Sequence, residues 1–208
     1  MNNNNKKSES NINNNQQIKV YLFDLDGTLI DNNIYSEIYS KIIYMIKDKL
    51  GLSEEEIDRK AEKSGLDKNK SNRWDSGELC EKLGFLEEYY LILETEINLK
   101  KEKSKNILKI EIVNLLKQKK EEGKVVGIVS NSFTKTINLY LKKYELIDKV
   151  KFIFSSEDAE CKKNEKEFWE RLIEKEKLNP KECLVIGDNE IDDQKVPRKL
   201  GFSTQLVN

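Results

Sequence analysis

Two aspartates separated by one apolar residue, Asp24 and Asp26, follow directly on the apolar run Val20-Tyr21-Leu22-Phe23. The run reads as a strand. Leu25 alone stands between the acids, so the turn past the strand, not its pleat, has to aim both side chains into one site. Gly27 allows a sharp turn that a side chain would resist. Two carboxylates at the C-terminal mouth of a strand suit a divalent cation and nucleophilic or acid–base work. A second apolar run, Val125 to Val129, ends in Ser130 and Asn131. A hydroxyl and neighbouring backbone N–H groups at a strand end can hold phosphate oxygens without adding charge. A third, Cys183 to Ile186, ends in Gly187-Asp188 and is followed by the acids Asp192 and Asp193. Between these lie Lys162 and Lys163, ahead of a helical stretch containing Phe168. A fixed cation there would stabilise an anionic nucleophile and phosphoryl oxygens. The sequence contains no histidine. Any group exchanging protons near neutral pH is then a carboxylate, lysine, tyrosine or cysteine, which excludes Ser–His and Cys–His hydrolases.

In order, spacing and strand-end placement these motifs resemble the haloacid dehalogenase-like (HAD) superfamily, mostly phosphatases that pass through an aspartyl-phosphate. The resemblance runs across residues 18–208 and rests chiefly on Phe23-Asp24-Leu25-Asp26-Gly27-Thr28. It implies Asp24 as nucleophile and Asp26 as the acid that protonates the leaving alkoxide and then activates water. Thr28 is expected to fix the turn and Asp26. Ser130 and Asn131, with Lys162, are expected on the phosphoryl oxygens. Mg²⁺ is the implied cofactor, held by Asp24, Asp188 and Asp193 through carboxylates and by Asp26 through its backbone carbonyl. Lys162 lies six residues before Phe168, as in many relatives, but Lys163 stands where those relatives carry proline, so the choice between the two lysines stays open. Asp193 is preferred over Asp192 because Gly201 follows it by eight residues. Haloacid dehalogenases lack an acid at the place of Asp26, so the resemblance implies a hydrolase of small phosphomonoesters. A phosphomutase of sugar phosphates and a non-catalytic regulatory relative are the alternatives.

Positioning these residues requires alternating strands and helices. Strands are expected at 18–23, 124–129, 150–154, 183–186 and near 204–207, with helices at 105–122, 134–144, 164–177 and 194–200. The pattern predicts an α/β fold with a Rossmann-like parallel sheet core, helices on both faces, and ligands at the strand C-termini. Residues 18–31 and 105–208 form this core domain. The stretch 32–104 carries no strand signal. Ile34, Ile38, Ile42, Ile46 and Leu50 keep helical spacing up to Gly51, and Ser53-Glu54-Glu55-Glu56 has the form of a capping box. Leu86 to Leu99 supplies another helix, so 32–104 is expected to be an all-helical cap over the site. Within it Tyr35, Arg73 and Trp74 are candidates to meet the substrate. Residues 1–17 form an asparagine-rich tail too polar to bury a core and are expected to be disordered.

The chain has 208 residues, 36% of them charged, and a net charge of −1. Neither nucleic acid nor a membrane is implied as a partner by that balance; the expected partner is a small phosphorylated metabolite. No apolar run approaches the roughly 20 residues of a transmembrane helix, and no signal-peptide core is visible, so a cytoplasmic address is expected. The three cysteines, Cys80, Cys161 and Cys183, are dispersed and form no zinc-type pair.

Overall fold

The computed structural model describes residues 17–69, 72–103 and 107–207; the expected disordered tail, save Gln17, lies outside them. Strands β1 (Val20–Phe23), β2 (Val125–Ser130), β3 (Phe152–Ser155), β4 (Cys183–Gly187) and β5 (Ser203–Leu206) form one sheet. Its order is β3-β2-β1-β4-β5 and every pairing is parallel. Each expected strand is present. The chain winds outward from β1 to β3, then crosses back to place β4 on the other side of β1, so the topology reverses at β1 and opens a crevice at its C-terminal end.

Side chains alternate between the two faces, and both are buried. Phe23, Ile128 and Ile186 belong to one apolar cluster, whereas their neighbours Leu22, Val129 and Val185 belong to a second. The first cluster takes in Val113 and Leu116 of α5 (Ile110–Glu121) and Ile137, Tyr140 and Leu141 of α6 (Thr134–Lys143). The second packs Phe168, Trp169 and Leu172 of α8 (Lys166–Glu176) against the opposite face. A short helix, α7 (Ser156–Ala159), follows β3 directly and was not expected from the sequence. The helix expected at 194–200 divides into a π-helical turn, Glu190–Lys195, and α9 (Val196–Lys199).

Between β1 and α5 the chain forms four helices: α1 (Asn33–Leu50), α2 (Glu54–Lys63), α3 (Ser76–Leu83) and α4 (Leu86–Glu102). Ile34, Ile38, Ile42 and Ile46 all lie on the buried face of α1, and Gly51 ends it. The capping box is formed as expected: Ser53 Oγ accepts from Glu56 N–H, and Glu56 accepts from Ser53 N–H at 2.8 Å. The sequence signalled α3 poorly because this helix is short, yet Leu79 and Cys80 bury its inner face. The two connections to the sheet run side by side, joined by Asp31 N–H to the Ile107 carbonyl (2.7 Å) and Lys109 N–H to the Leu29 carbonyl (3.0 Å). The apolar cluster is continuous from the sheet face into this insertion, through Leu25, Leu29, Ile34, Ile38 and Tyr89. Among the described residues no helix is long and apolar enough to cross a membrane.

Burial pushes the Cys80 and Cys183 thiols each up to about 12, while Cys161 is half-buried. Thiols raised so far stay protonated and unreactive at pH 8. Iodoacetamide is therefore expected to label Cys161 alone in the native protein and all three cysteines after denaturation; peptide mass mapping checks this.

Candidate active site

The three central strands end level with one another. Phe23 pairs with both Ile128 and Ile186, and Asp24 N–H continues the ladder to the Ile186 carbonyl at 2.9 Å. The turn that follows is closed by Gly27 N–H to the Ile30 carbonyl (2.8 Å) and Leu29 N–H to the Leu25 carbonyl (2.9 Å). Gly27 has φ +79°, and a Cβ there would collide with the Asp188 carboxylate and the Asn32 amide. At Gly187 a Cβ would overlap the Asp193 carboxylate. Both glycines are thus required by the closeness of the acids they admit.

Asp24, Asp188 and Asp193 each present an oxygen within 4.8 Å of the other two; Asp24 and Asp193 are buried and Asp188 is exposed. Into this cluster comes Lys163, 2% exposed, with Nζ 2.6 Å from Asp24 Oδ1 and 2.5 Å from Asp193 Oδ1. Its backbone is fixed on both sides: its N–H donates to Asn131 Oδ1 (2.8 Å) and its carbonyl accepts from the Trp169 indole (2.8 Å). Asp193 is placed by the π-helical turn, in which Asn189 N–H donates to Asp193 Oδ2 (3.0 Å) and Asp193 N–H to the Asn189 carbonyl (2.9 Å). Local π geometry of this kind recurs at functional sites.

The cleft so formed holds about 230 Å³ and is lined by five carboxylates, Asp24, Asp26, Asp188, Asp192 and Asp193, against one ammonium, Lys163. Burial pushes the Asp24 carboxyl well above the usual range, with Lys163 pulling the other way. Burial likewise raises Asp26, Asp188 and Asp192. For Lys163 burial acts downward, but Asp24 and Asp193 outweigh it and hold the ammonium above its ordinary value. The cleft is therefore short of positive charge and rich in hard oxygen donors, a donor set that fits a dication such as Mg²⁺.

Asp26 borders this cleft and also a larger chamber of about 460 Å³ walled by the insertion, including Tyr35, Tyr39, Arg73 and Trp74. Its Oδ2 accepts from Ser132 Oγ at 2.6 Å, with Ser130 Oγ more distant at 3.5 Å, and its Oδ1 accepts from the Tyr35 hydroxyl. Arg73 is steadied by Ser36 Oγ at 2.8 Å and by the Tyr39 ring at 5.4 Å.

Asp24, Asp26, Ser130, Asn131, Asp188 and Asp193 all line the smaller cleft, as their motifs implied. Three expectations change. Lys162 does not enter it; its side chain is 48% exposed and pairs with Glu78 of α3, and Lys163 takes the place beside Asp24. Spacing does not separate the two, since Lys163 stands six residues before Trp169 as Lys162 does before Phe168, and it is Trp169 that grips the loop. Thr28 is fully buried, and its hydroxyl finds no partner among the described residues, so Asp26 is fixed by Ser132 and Tyr35 instead. Asn131 has both ends of its amide engaged, Oδ1 by Lys163 N–H and Nδ2 toward Asp192 Oδ2 (2.9 Å), so its side chain braces the site rather than facing a phosphate. Asn32, Ser132 and Asn189 gave no motif signal, because short polar residues in turns are common everywhere.

Removing Lys163 leaves two buried carboxylates facing each other, whereas Lys162 forms an exposed pair. In buffer containing chelator, Lys163→Ala is expected to cost about 3–5 kcal/mol of stability and Lys162→Ala less than about 1 kcal/mol; urea denaturation followed by circular dichroism checks the contrast.

A family model described as haloacid dehalogenase-like hydrolase matches residues 18–194. No curated protein sequence matches the chain. Among solved structures, the fold is similar to that of an HAD phosphatase from Thermococcus onnurineus, at 21% identity over 92% of this chain and 86% of that one, with a TM-score of 0.71. It is similar also to YfnB from Bacillus subtilis, solved bound to magnesium, at 19% identity over 92% and 87% of the two chains, TM-score 0.60. L-2-haloacid dehalogenase from Xanthobacter autotrophicus has 17% identity over 92% and 78%, TM-score 0.59. At these identities the likeness concerns the fold, whereas the family match spans most of the sequence and every motif of the cleft up to Asp193. The chain belongs to the haloacid dehalogenase-like hydrolases.

Proposed function

We propose that this hydrolase is a Mg²⁺-dependent phosphatase that cleaves a small phosphomonoester through an aspartyl-phosphate on Asp24. The observation that carries the reading is the placement of two acids with different surroundings. Asp24 sits in the acidic cleft with Asp188, Asp193 and Lys163, while Asp26 lies at the junction of that cleft and the adjoining chamber. An acid at the place of Asp26 is what the dehalogenases of the family lack, and this favours phosphate esters over haloacids.

Asp24, Asp188 and Asp193, with the backbone carbonyl of Asp26, would hold the cation, which when bound offsets the repulsion between the Asp24 carboxylate and an anionic phosphate. Asp24 attacks phosphorus in line and displaces the ester oxygen. Lys163 orients the Asp24 carboxylate through its 2.6 Å contact and places positive charge beside the developing charge on the phosphoryl oxygens. The Ser130 hydroxyl, at the end of β2, lines the same cleft and is available to those oxygens. Asp26 gives a proton to the leaving oxygen, and burial, which raises its pKa, favours its holding one. As a carboxylate it then takes a proton from the water that opens the aspartyl-phosphate. The leaving group occupies the 460 Å³ chamber, so the helical insertion acts as a cap and selects the substrate.

Phosphate release from a panel of phosphomonoesters, with and without Mg²⁺, tests this reading. Turnover is expected only with Mg²⁺, and Asp24→Asn is expected to abolish it. Isomerisation of a sugar phosphate with little free phosphate would instead mark a mutase.

A further inference from the structure

Asp26 is gripped at both oxygens by hydroxyls from separate parts of the chain. The Tyr35 hydroxyl donates to Oδ1 from the first turn of α1, and Ser132 Oγ donates to Oδ2 at 2.6 Å from the loop after β2. A carboxyl held on two sides in this way cannot rotate about its terminal bond without losing a hydrogen bond. Tyr35 is itself restrained, because its ring meets that of Tyr140 edge-on at 6.5 Å and 77°, and Tyr140 is buried in the core. Tyr35, Ser132 and Asp26 all line the chamber assigned to the leaving group. Thr28 makes no contribution to this grip.

We propose that Tyr35 is a positioning residue for proton transfer by Asp26: its hydroxyl holds the Asp26 carboxyl in line with the leaving oxygen. This rests on the phosphatase reading. As an Asp24 oxygen bonds to phosphorus, the bond from phosphorus to the ester oxygen breaks and its electron pair departs on that oxygen. The Asp26 carboxyl supplies the proton, leaving a carboxylate that the Tyr35 and Ser132 hydroxyls stabilise. In the second half, water oxygen bonds to phosphorus, its proton passes to Asp26, and Asp24 departs as a carboxylate. Loss of alignment then slows each ester according to how much its leaving oxygen needs the proton. An alkoxide needs it fully; 4-nitrophenolate, a stable anion, needs it little.

The test compares kcat and KM for an alkyl phosphomonoester and for 4-nitrophenyl phosphate in wild type, Tyr35→Phe and Ser132→Ala. Tyr35→Phe keeps the ring and its contact with Tyr140. The ratio of alkyl to aryl kcat is expected to fall about tenfold or more in Tyr35→Phe, with a parallel fall in Ser132→Ala and the loss expressed in kcat rather than KM. A ratio within about twofold of wild type, whether both rates drop together or neither drops, would overturn the proposal, because a merely structural tyrosine slows both esters alike. A wild-type protein that releases phosphate from neither ester overturns the phosphatase reading itself, and this inference with it, before any substitution is made.

Discussion

The buried ammonium of Lys163, shared between Asp24 and Asp193, is the contact on which the rest of the site depends. Burying one lysine costs several kcal/mol unless its charge is met, and burying two carboxylates costs more. Here each group answers the other, and three distant pieces of chain are forced to converge: the end of β1, the loop before α8, and the turn after β4. The convergence imposes demands on its neighbours. Gly187 leaves room for Asp193, Asn131 binds the backbone of Lys163, and the Trp169 indole secures the carbonyl of the same residue. Even with Lys163 in place the cleft remains acidic, five carboxylates to one ammonium, and that imbalance suits it to a dication.

The parallel sheet serves this contact by levelling the strand ends. Phe23 sits beside Ile128 and Ile186, so Asp24, one residue on, and Ser130 and Asp188, two residues on, emerge at the same end of the sheet. Two apolar layers clamp the sheet from either side, and one of them extends without a break into the helical insertion. The insertion is thereby seated on the core through Leu29, Ile34 and Tyr89, while its polar side forms the wall of the larger chamber.

How much of this was legible in the sequence follows from which residues act through their type and which through their surroundings. Strands β1 to β4 were visible because each is a short, mostly apolar run, as a sheet buried on both faces requires, whereas β5 is a polar, exposed edge strand. Helix α1 and the capping box at Ser53 were visible because local chemistry alone decides them. The four acids of the motifs came together as their strand-end positions implied. Lys162 and Lys163 were not separable, since nothing in a run of two lysines tells which side chain turns inward; Trp169 decides it through a hydrogen bond across six residues. Thr28 and Asn131 were placed correctly in the chain but not in their partners. Hydrogen bonds of a hydroxyl or amide depend on neighbours that only the folded chain brings near, as Ser132 and Tyr35 do for Asp26.

The chain carries two tryptophans, and the fold sets one beside each compartment. Trp169 stands beneath the lysine of the acidic cleft with its indole N–H on the Lys163 carbonyl, and Trp74 forms part of the larger chamber with its N–H on Asp58 at 2.6 Å. Both indoles are buried, Trp169 in the apolar layer under α8 and Trp74 in the layer that continues into the insertion. Their emission spectra are therefore set by different polar partners, a backbone carbonyl for Trp169 and the Asp58 carboxylate for Trp74. The protein thus contains, without any added dye, separate optical reporters of its two compartments.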